Sequence, residues 1–261
     1  MEEEQWYWKA LWLNIILAFS TAASLTRITA PYGRHTQAGA SSSLDVWGPS
    51  MPARDGWVLM ESPALWFTLL VFSAGKHASE TVPLVLLRLF QLHYTHRALI
   101  YPFRMRSRGK TISIAIVALS FVFNIYNGYL QARWLSEFGI YPDTWLRSPQ
   151  FVSGSLLFAA GMVTNVWADS VLISLRKPGE ERGGYKLPQG WLFSLVACPN
   201  YSGEILEWLG WALLTWSPAG LVFFIFTAAN LIPRAVAHRR WYVSKFPEFP
   251  ASRRAVIPFV L

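Results

Sequence analysis

The chain has 261 residues, of which 53% are hydrophobic and only 15% are charged. Soluble domains carry about 25% charged residues, so this composition excludes an ordinary soluble protein and predicts a polytopic membrane protein. The net charge is +8, and the single cysteine, Cys198, excludes an intramolecular disulfide framework and a Cys-rich metal site.

Apolar stretches of membrane-spanning length recur along the chain, and a span needs roughly 20 predominantly apolar residues. The acidic start, Met1 to Glu4, is unlike the basic start of a signal peptide, so we expect the first stretch to remain as a span. The prediction is an all-α integral membrane protein with one domain, 1–261. Its seven spans are predicted near Trp8 to Leu25, Ser62 to Ala78, Thr81 to Tyr101, Thr111 to Gln131, Phe151 to Leu175, Asn200 to Trp216 and Pro218 to Ala237.

The Lys and Arg residues are distributed unevenly between the two sides of this predicted bundle. Four of the 23 lie on the side of the N-terminus and sixteen on the opposite side, while Arg88, Arg97 and Arg234 lie inside spans. Cytosolic loops carry the excess of Lys and Arg in membrane proteins. We therefore expect the N-terminus outside and the C-terminus in the cytosol.

Polar side chains interrupt several of the spans. A charge at membrane depth costs on the order of 3 kcal/mol by insertion scales, so an embedded set is a candidate functional site. In the predicted topology the set lies in the cytosolic half, which predicts a single cavity open to the cytosol. Its members are Glu61, Tyr94, Asn165, Asp169, Asn200, Glu204, Glu207, Arg234 and His238.

Three pairs in this set have a spacing of four residues and therefore share a helix face: Asn165 with Asp169, Asn200 with Glu204, and Arg234 with His238. Asn165 and Asp169 suit an amide or a ribose hydroxyl, although an interhelical hydrogen bond explains them equally well. Arg234 and His238 could pair with the acids of span six.

The loop after span five, residues 175–188, joins basic residues, turn residues and Tyr185 on the cytosolic side. It suits a nucleotide, whose phosphates would bind Arg and Lys and whose base would stack on Tyr185. Ordinary positive-inside bias explains the charges as well. His93 and His96 have no carboxylate or cysteine beside them, so we expect no metal.

Glu61 and Tyr94 are expected at a similar depth on spans two and three. A phenol hydrogen-bonded to an acid can donate a proton to a carbonyl oxygen, which is the arrangement that polarises an enone. The aromatic content of 16% fits packing and interfacial belts first, and the walls of a site for a flat apolar substrate second.

In their residues and in their order along the chain, these motifs resemble those of the steroid 5α-reductase family, whose members are seven-span NADPH-dependent membrane enzymes. The match covers nearly the whole chain and is densest after Phe151. Two departures are Met60, where steroid-type members often have Gln, and the segment from Arg106 to Lys110, a looser match to the family's N-R-G-R loop. The matching segments are Tyr32 to Thr36, Trp57 to Pro63, His93 to Arg97, Asn165 to Asp169, Leu175 to Glu180, Asn200 to Trp208, Pro233 to Tyr242 and Ser252 to Phe259.

The resemblance implies hydride transfer from NADPH to C5 of a 3-oxo-Δ4-steroid. Glu61 and Tyr94 would hold the 3-keto oxygen and stabilise the enolate, and C4 would then be protonated, plausibly by water. Spans one to four would carry this carbonyl site, and about 151–261 most of the NADPH site. The implied NADPH contacts are Tyr32, Arg97, Asn165, Asp169, Arg176, Tyr185, Lys186, Asn200, Glu204, Arg234, His238 and Tyr242, and the implied steroid contacts are Trp57, Glu61, Tyr94, Trp208 and Phe226.

Other functions remain open at this point. A reductase of polyprenols or of enoyl thioesters would have a similar cofactor half. A transporter or receptor is a more distant alternative, and the absence of an apparent inverted repeat counts against a transporter.

The expected partners are a steroid and membrane lipid, with no nucleic acid and no obligate protein partner. The host membrane would be the endoplasmic reticulum in a eukaryote or the inner membrane in a bacterium, with the NADPH site facing the cytosol.

Overall fold

The computed structural model describes residues 2–28, 47–107, 109–175 and 185–261. These residues are mainly helical and include one short two-stranded ribbon. Among the described residues, five helical stretches are long and apolar enough to cross a membrane, which confirms the prediction of a helical, multi-pass membrane protein. They are Glu2–Arg27, Ala53–Ser73, Ile114–Phe138, Pro149–Ser174 and Pro218–Lys245.

The chain divides into two compact units. The N-terminal unit contains Met1–Tyr7 and Ala30–Leu146, and the C-terminal unit contains Trp8–Thr29 and Arg147–Leu261. Helix α1 (Glu2–Arg27) therefore contributes its first residues to one unit and the remainder to the other.

The N-terminal unit is built from short helices around one long helix, α6. Two of its segments are π-helical, a conformation that is frequent at functional sites. Its elements are β1 (Ser50–Pro52), α2 (Ala53–Glu61), α3 (Pro63–Ser73), α4 (Thr81–Tyr94), a π-helical segment (Thr95–Ile100), α5 (Tyr101–Arg104), β2 (Thr111–Ser113), α6 (Ile114–Arg133), a second π-helical segment (Trp134–Phe138) and a 3₁₀ turn (Asp143–Arg147).

The fourth predicted span starts later than expected. Residues 111–113 form β2, which pairs antiparallel with β1 through Met51 and Ile112. Helix α6 begins only at Ile114, because the Ser113 hydroxyl accepts a hydrogen bond from the Ala115 amide at 3.1 Å and caps the helix.

The second predicted span was placed too late, because helix α2 precedes it. Pro63 has no N–H, so the helix breaks between α2 and α3. The Ser62 hydroxyl donates to the Leu59 carbonyl at 3.0 Å, and the Asn124 side chain donates to the Met60 carbonyl at 2.7 Å. Both bonds stabilise the broken helix, and Glu61 is the last residue of α2.

Besides most of α1, the described residues of the C-terminal unit form three long helices, α7 (Pro149–Ser174), α8 (Pro199–Thr215) and α9 (Pro218–Lys245), with a 3₁₀ turn at Trp191–Ser194. Helices α7 and α9 each begin with a Ser-Pro pair. The hydroxyls of Ser148 and Ser217 accept hydrogen bonds from amides of the first turn, and proline is favourable at the first helical position.

Four glycines form the contact between α7 and α8. Gly154 and Gly161 on α7 and Gly203 and Gly210 on α8 are each seven residues apart, so each pair lies on one helix face. A Cβ atom on Gly161 would lie 2.3 Å from the Glu207 nitrogen, which real contacts do not permit. The backbones of the two helices therefore touch, and the side chains that flank the glycines meet across the contact.

The C-terminal tail packs against the start of α8. The amides of Ala197 and Cys198 donate to the carbonyls of Arg254 and Ala255 at 2.7 and 3.1 Å. Arg253 is buried and donates to the Pro188 carbonyl at 3.1 Å, and burial lowers the pKa of its guanidinium. The tail thus fixes the segment that leads from Tyr185 into α8.

Candidate functional site

The predicted catalytic carboxylate lies at the end of α2 in the N-terminal unit. Asn124 on α6 donates through Nδ2 to Glu61 Oε2 at 3.3 Å, and the same nitrogen donates to the Met60 carbonyl. Because Asn124 is buried and bonded to both neighbours, it holds the Glu61 side chain and the helix break in one geometry.

Tyr94, the predicted partner of Glu61, is the last residue of α4 and is buried. Its ring lies 4.7 Å from that of Phe90, and α2 packs against the π-helical segment that begins directly after it. Gln91, one helical turn earlier, donates to the Ala64 carbonyl at 3.2 Å. Ala64 follows Glu61 by three residues. This hydrogen bond therefore holds α4, which carries Tyr94, against the junction of α2 and α3, where Glu61 lies.

Arg97 lies in the π-helical segment and is held by two aromatic rings. Its guanidinium carbon is 4.7 Å from the centre of the Trp57 ring and 4.9 Å from that of Tyr101. Such cation–π contacts stabilise a guanidinium by about 0.5–2 kcal/mol each. The structure therefore brings together Arg97, a predicted NADPH contact, and Trp57, a predicted steroid contact.

In the C-terminal unit, four predicted cofactor residues form one hydrogen-bonded network across α7 and α8. Asn165 Nδ2 donates to the Asn200 carbonyl at 3.0 Å and to Glu204 Oε2 at 3.2 Å. Asn200 Nδ2 donates to Asp169 Oδ1 at 3.1 Å. Asn165 and Asp169 are buried, so this network lies within the helix contact that the glycines create.

Arg234 and His238 on α9 meet at Tyr201, a residue that had no predicted role of its own. The Tyr201 hydroxyl is 3.1 Å from His238 Nε2, and Arg234 Nη2 donates to it at 3.5 Å. Pairing of Arg234 and His238 with the acids of α8 stays a prediction. The sequence could have indicated Tyr201 as a site residue, because it directly follows Asn200 on the same helix.

The remaining predicted cofactor residues of this unit lie around Trp241. The Tyr185 ring is 4.9 Å from the Trp241 ring, and Tyr242 is buried and stacked on Phe249 at 5.7 Å. Lys186 is exposed beside Tyr185. Tyr185 is 38% exposed, so part of its side chain is accessible to solvent.

The two predicted steroid contacts of the C-terminal unit differ in exposure. Trp208 is 1% exposed and lies 4.4 Å from the Phe223 ring, with Phe158 and Trp211 also in ring contact. Phe226 on α9 is half-buried. Their role in a steroid pocket stays a prediction.

Two predicted NADPH contacts, Tyr32 and Arg176, lie outside the described residues. Sequence reasoning missed Asn124 and Gln91, which position Glu61 and Tyr94. Asn124 is an amide inside an apolar span, the same signal that drew attention to Asn165.

Comparison with known proteins identifies the chain. The profile of the family described as 3-oxo-5-alpha-steroid 4-dehydrogenase matches residues 110–261. The chain belongs to this family. It is similar to steroid 5-alpha-reductase DET2 of Arabidopsis thaliana, with 48% identity over 92% of this chain and 91% of the relative. It is also similar to 3-oxo-5-alpha-steroid 4-dehydrogenase 1 of Bos taurus, with 40% identity over 91% of this chain and 90% of the relative.

Membership of the steroid 5α-reductase family makes the protein an oxidoreductase of steroid metabolism. The segment that the profile matches includes α6 with Asn124, and the whole polar network of α7, α8 and α9. Glu61 and Tyr94 precede that segment. Their catalytic role therefore stays a prediction, which rests on their chemistry and on the contacts described above.

Proposed function

We propose that the protein reduces the Δ4 double bond of 3-oxo-Δ4-steroids to 5α-steroids with NADPH. The observation that supports this best is the position of Glu61 and Tyr94. Asn124 holds the Glu61 carboxylate where α2 ends. Tyr94 is buried on α4, and Gln91 bonds α4 to the first turn of α3, directly after Glu61. An acid and a phenol held in this way can stabilise the charge that develops on a ketone oxygen.

The side chains of α7, α8 and α9 fit a nicotinamide dinucleotide. Asp169 and Glu204 accept hydrogen bonds, which suits ribose hydroxyls and a carboxamide NH₂, and Arg234 provides positive charge for phosphates. Tyr185 is partly exposed, and its ring would stack on the base. NADPH would supply the hydride that adds to C5. The residues proposed to hold it are Tyr32, Arg97, Asn165, Asp169, Arg176, Tyr185, Lys186, Asn200, Glu204, Arg234, His238 and Tyr242.

Tyr94 and Glu61 would act on the steroid ketone. The Tyr94 hydroxyl donates a hydrogen bond to the 3-keto oxygen, and Glu61 orients this donor and stabilises the enolate as its charge forms. Trp57, Trp208 and Phe226 are the further residues that we propose to contact the steroid rings. Burial of the tyrosine keeps bulk water from competing for the ketone.

We further propose seven spans, with the N-terminus outside, the C-terminus cytosolic and the NADPH site facing the cytosol. Two helical segments add to the five apolar stretches. Thr81–Tyr94 continues through the π-helical segment into Tyr101–Arg104, and Pro199–Thr215 has 17 residues, close to the length of a span. The Lys and Arg asymmetry supports the orientation.

The test is turnover by the purified protein with NADPH and a panel of 3-oxo-Δ4-steroids, such as testosterone and progesterone. Cofactor oxidation and formation of the 5α product are followed together and should agree in stoichiometry. A polyprenol and an enoyl thioester complete the panel. Reduction of either of these without turnover of any steroid would overturn the steroid assignment.

A further inference from the structure

Buried polar side chains follow one side of α6, beginning at the residue that holds Glu61. Asn124, Asn127 and Gln131 are 4%, 1% and 1% exposed, and their spacing places them on one helix face. Asn124 donates to Glu61, and Gln131 Nε2 donates to Asn127 Oδ1 at 3.1 Å. This row of amides lies inside a helix that is otherwise apolar enough to cross a membrane.

Two polar atoms beside the middle of the row accept or donate no hydrogen bond among the described residues. They are Asn127 Nδ2 and Thr68 Oγ1. Thr68 is 1% exposed, and a Cβ atom on Gly128 would lie 2.7 Å from its hydroxyl oxygen. The hydroxyl therefore lies directly against α6 at Gly128, the residue that follows Asn127. Buried polar atoms are unfavourable without a partner, and a water molecule with two to four polar neighbours is the usual one.

A groove opens on α3 and α6 shortly beyond these two residues. Val71 follows Thr68 by one helical turn, and Tyr129 follows Asn127 by two residues. The groove has a volume of about 440 Å³, and Arg133 in its wall bonds Glu3 with two hydrogen bonds of 2.7 Å. Most of its lining is apolar, but Glu3 is exposed, so solvent reaches the polar end of the groove. The lining residues are Glu3, Leu70, Val71, Ala74, Tyr129 and Arg133.

We propose that Thr68 and Asn127 bind water on a hydrated path from this groove to Glu61, and that this path supplies the proton that C4 of the substrate receives. The inference rests on the proposed steroid reduction. C4 is bonded to C3, whose oxygen Glu61 and Tyr94 would hold. Asn127 follows the Glu61 partner Asn124 by one helical turn, about 5 Å along the helix, so water bound at Asn127 would lie one turn from the residue that holds Glu61.

The proton balance of this step is complete. The electron pair of the enolate C3–C4 double bond forms the new C4–H bond, and the C3 carbonyl is restored. An O–H bond of water breaks at the same time. The hydroxide that remains takes up a proton from solvent through the same path, which is the proton consumed in each reduction.

The test compares Thr68→Val, which keeps the side-chain shape and removes the hydroxyl, with Thr68→Ser, which keeps the hydroxyl. Ser155→Ala on α7 is the control, because the Ser155 hydroxyl is also buried without a hydrogen bond among the described residues. We expect kcat of Thr68→Val to fall about tenfold, part of the roughly 100-fold that a positioned proton donor contributes. Its solvent deuterium isotope effect on kcat should rise, because protonation becomes slower. Thr68→Ser and the control should retain wild-type values.

A second readout detects the water itself. A structure at a resolution that shows water should contain a water molecule within hydrogen-bond distance of Thr68 Oγ1 and Asn127 Nδ2, and Thr68→Val should lose it. Wild-type kcat and isotope effect in Thr68→Val, or a dry contact between α3 and α6, would overturn the path. Failure of the wild-type protein to reduce any 3-oxo-Δ4-steroid would instead overturn the proposed function.

Discussion

The side chain of Asn124 bonds the Glu61 carboxylate at 3.3 Å and, through the same nitrogen, the Met60 carbonyl at 2.7 Å. One amide therefore stabilises the helix break and orients the acid at its end. The two residues are 63 positions apart in sequence, so this contact exists only in the folded chain.

Replacing Asn124 with alanine should reduce catalysis without removing the cofactor. A small displacement of a catalytic group can cost up to about 100-fold in rate, and we expect kcat to fall by roughly ten- to a hundredfold. The free energy of unfolding should fall by about 1–3 kcal/mol, because the Met60 carbonyl loses its partner. Steady-state kinetics and denaturant unfolding measure the two effects. Asn14→Ala is the control, since the Asn14 amide is buried with no hydrogen bond among the described residues, and an equal loss of kcat there would contradict a specific role for Asn124.

Removing the Tyr94 hydroxyl or the Glu61 carboxylate should separate chemistry from binding. We expect Tyr94→Phe and Glu61→Gln each to lower kcat by about 10²–10³, the usual loss for one group that stabilises an oxyanion. NADPH affinity, measured by quenching of tryptophan fluorescence, should stay close to the wild-type value. Tyr126→Phe on α6 is the matched control for loss of a phenol. The role assignment is wrong if both variants lose the cofactor and retain the chemistry.

Loss of the Asp169 carboxylate should have the opposite effect. Asp169 accepts a hydrogen bond from Asn200 at 3.1 Å within the network of α7 and α8. A hydrogen bond to a charged group is worth about 1.5–3 kcal/mol, so Asp169→Ala should raise the Kd for NADPH by roughly tenfold or more. Titration calorimetry measures it. Asp143→Ala, which removes an exposed acid, should leave the Kd unchanged, and normal NADPH affinity in Asp169→Ala would refute the contact.

The glycine contact predicts a size-dependent loss of stability. A Cβ atom on Gly203 would lie 2.5 Å from the Asn165 nitrogen, so Gly203→Ala must separate α7 from α8. Overpacking of this kind costs about 1–3 kcal/mol. The melting temperature should fall for alanine and fall further for serine, and NADPH affinity should fall with it, since the separation stretches the Asn165 hydrogen bonds. An unchanged melting temperature in both variants would show that the helices can move apart freely.

Hydropathy predicted the membrane helices because span length depends on local composition. It failed where polar residues begin a helix. Helix α2 starts with Ala53, Arg54 and Asp55, so hydropathy places it before the second span, although it carries Glu61 at its end. The strand at Thr111–Ser113 lies within the fourth predicted span, because three residues carry too little pattern to indicate a ribbon.

Site residues were predictable when a charge interrupted an apolar stretch, and their partners were not. The spacing of Asn165 and Asp169 indicated a shared face, but the bonds to Asn200 depend on how closely the glycines let two helices approach. Likewise Tyr201 acquires its contacts with Arg234 and His238 only when α8 and α9 pack. Such contacts are set by tertiary packing, which sequence spacing does not specify.

The central claim is that the protein transfers hydride from NADPH to C5 of a 3-oxo-Δ4-steroid. The most direct measurement uses the two forms of NADPH that are stereospecifically deuterated at C4 of the nicotinamide, with the product examined by mass spectrometry and NMR. One form should yield a steroid with a single deuterium at C5 in the α configuration, and the other form should yield none. Deuterium at C4, or an unlabelled 5α product from both forms, would contradict the account.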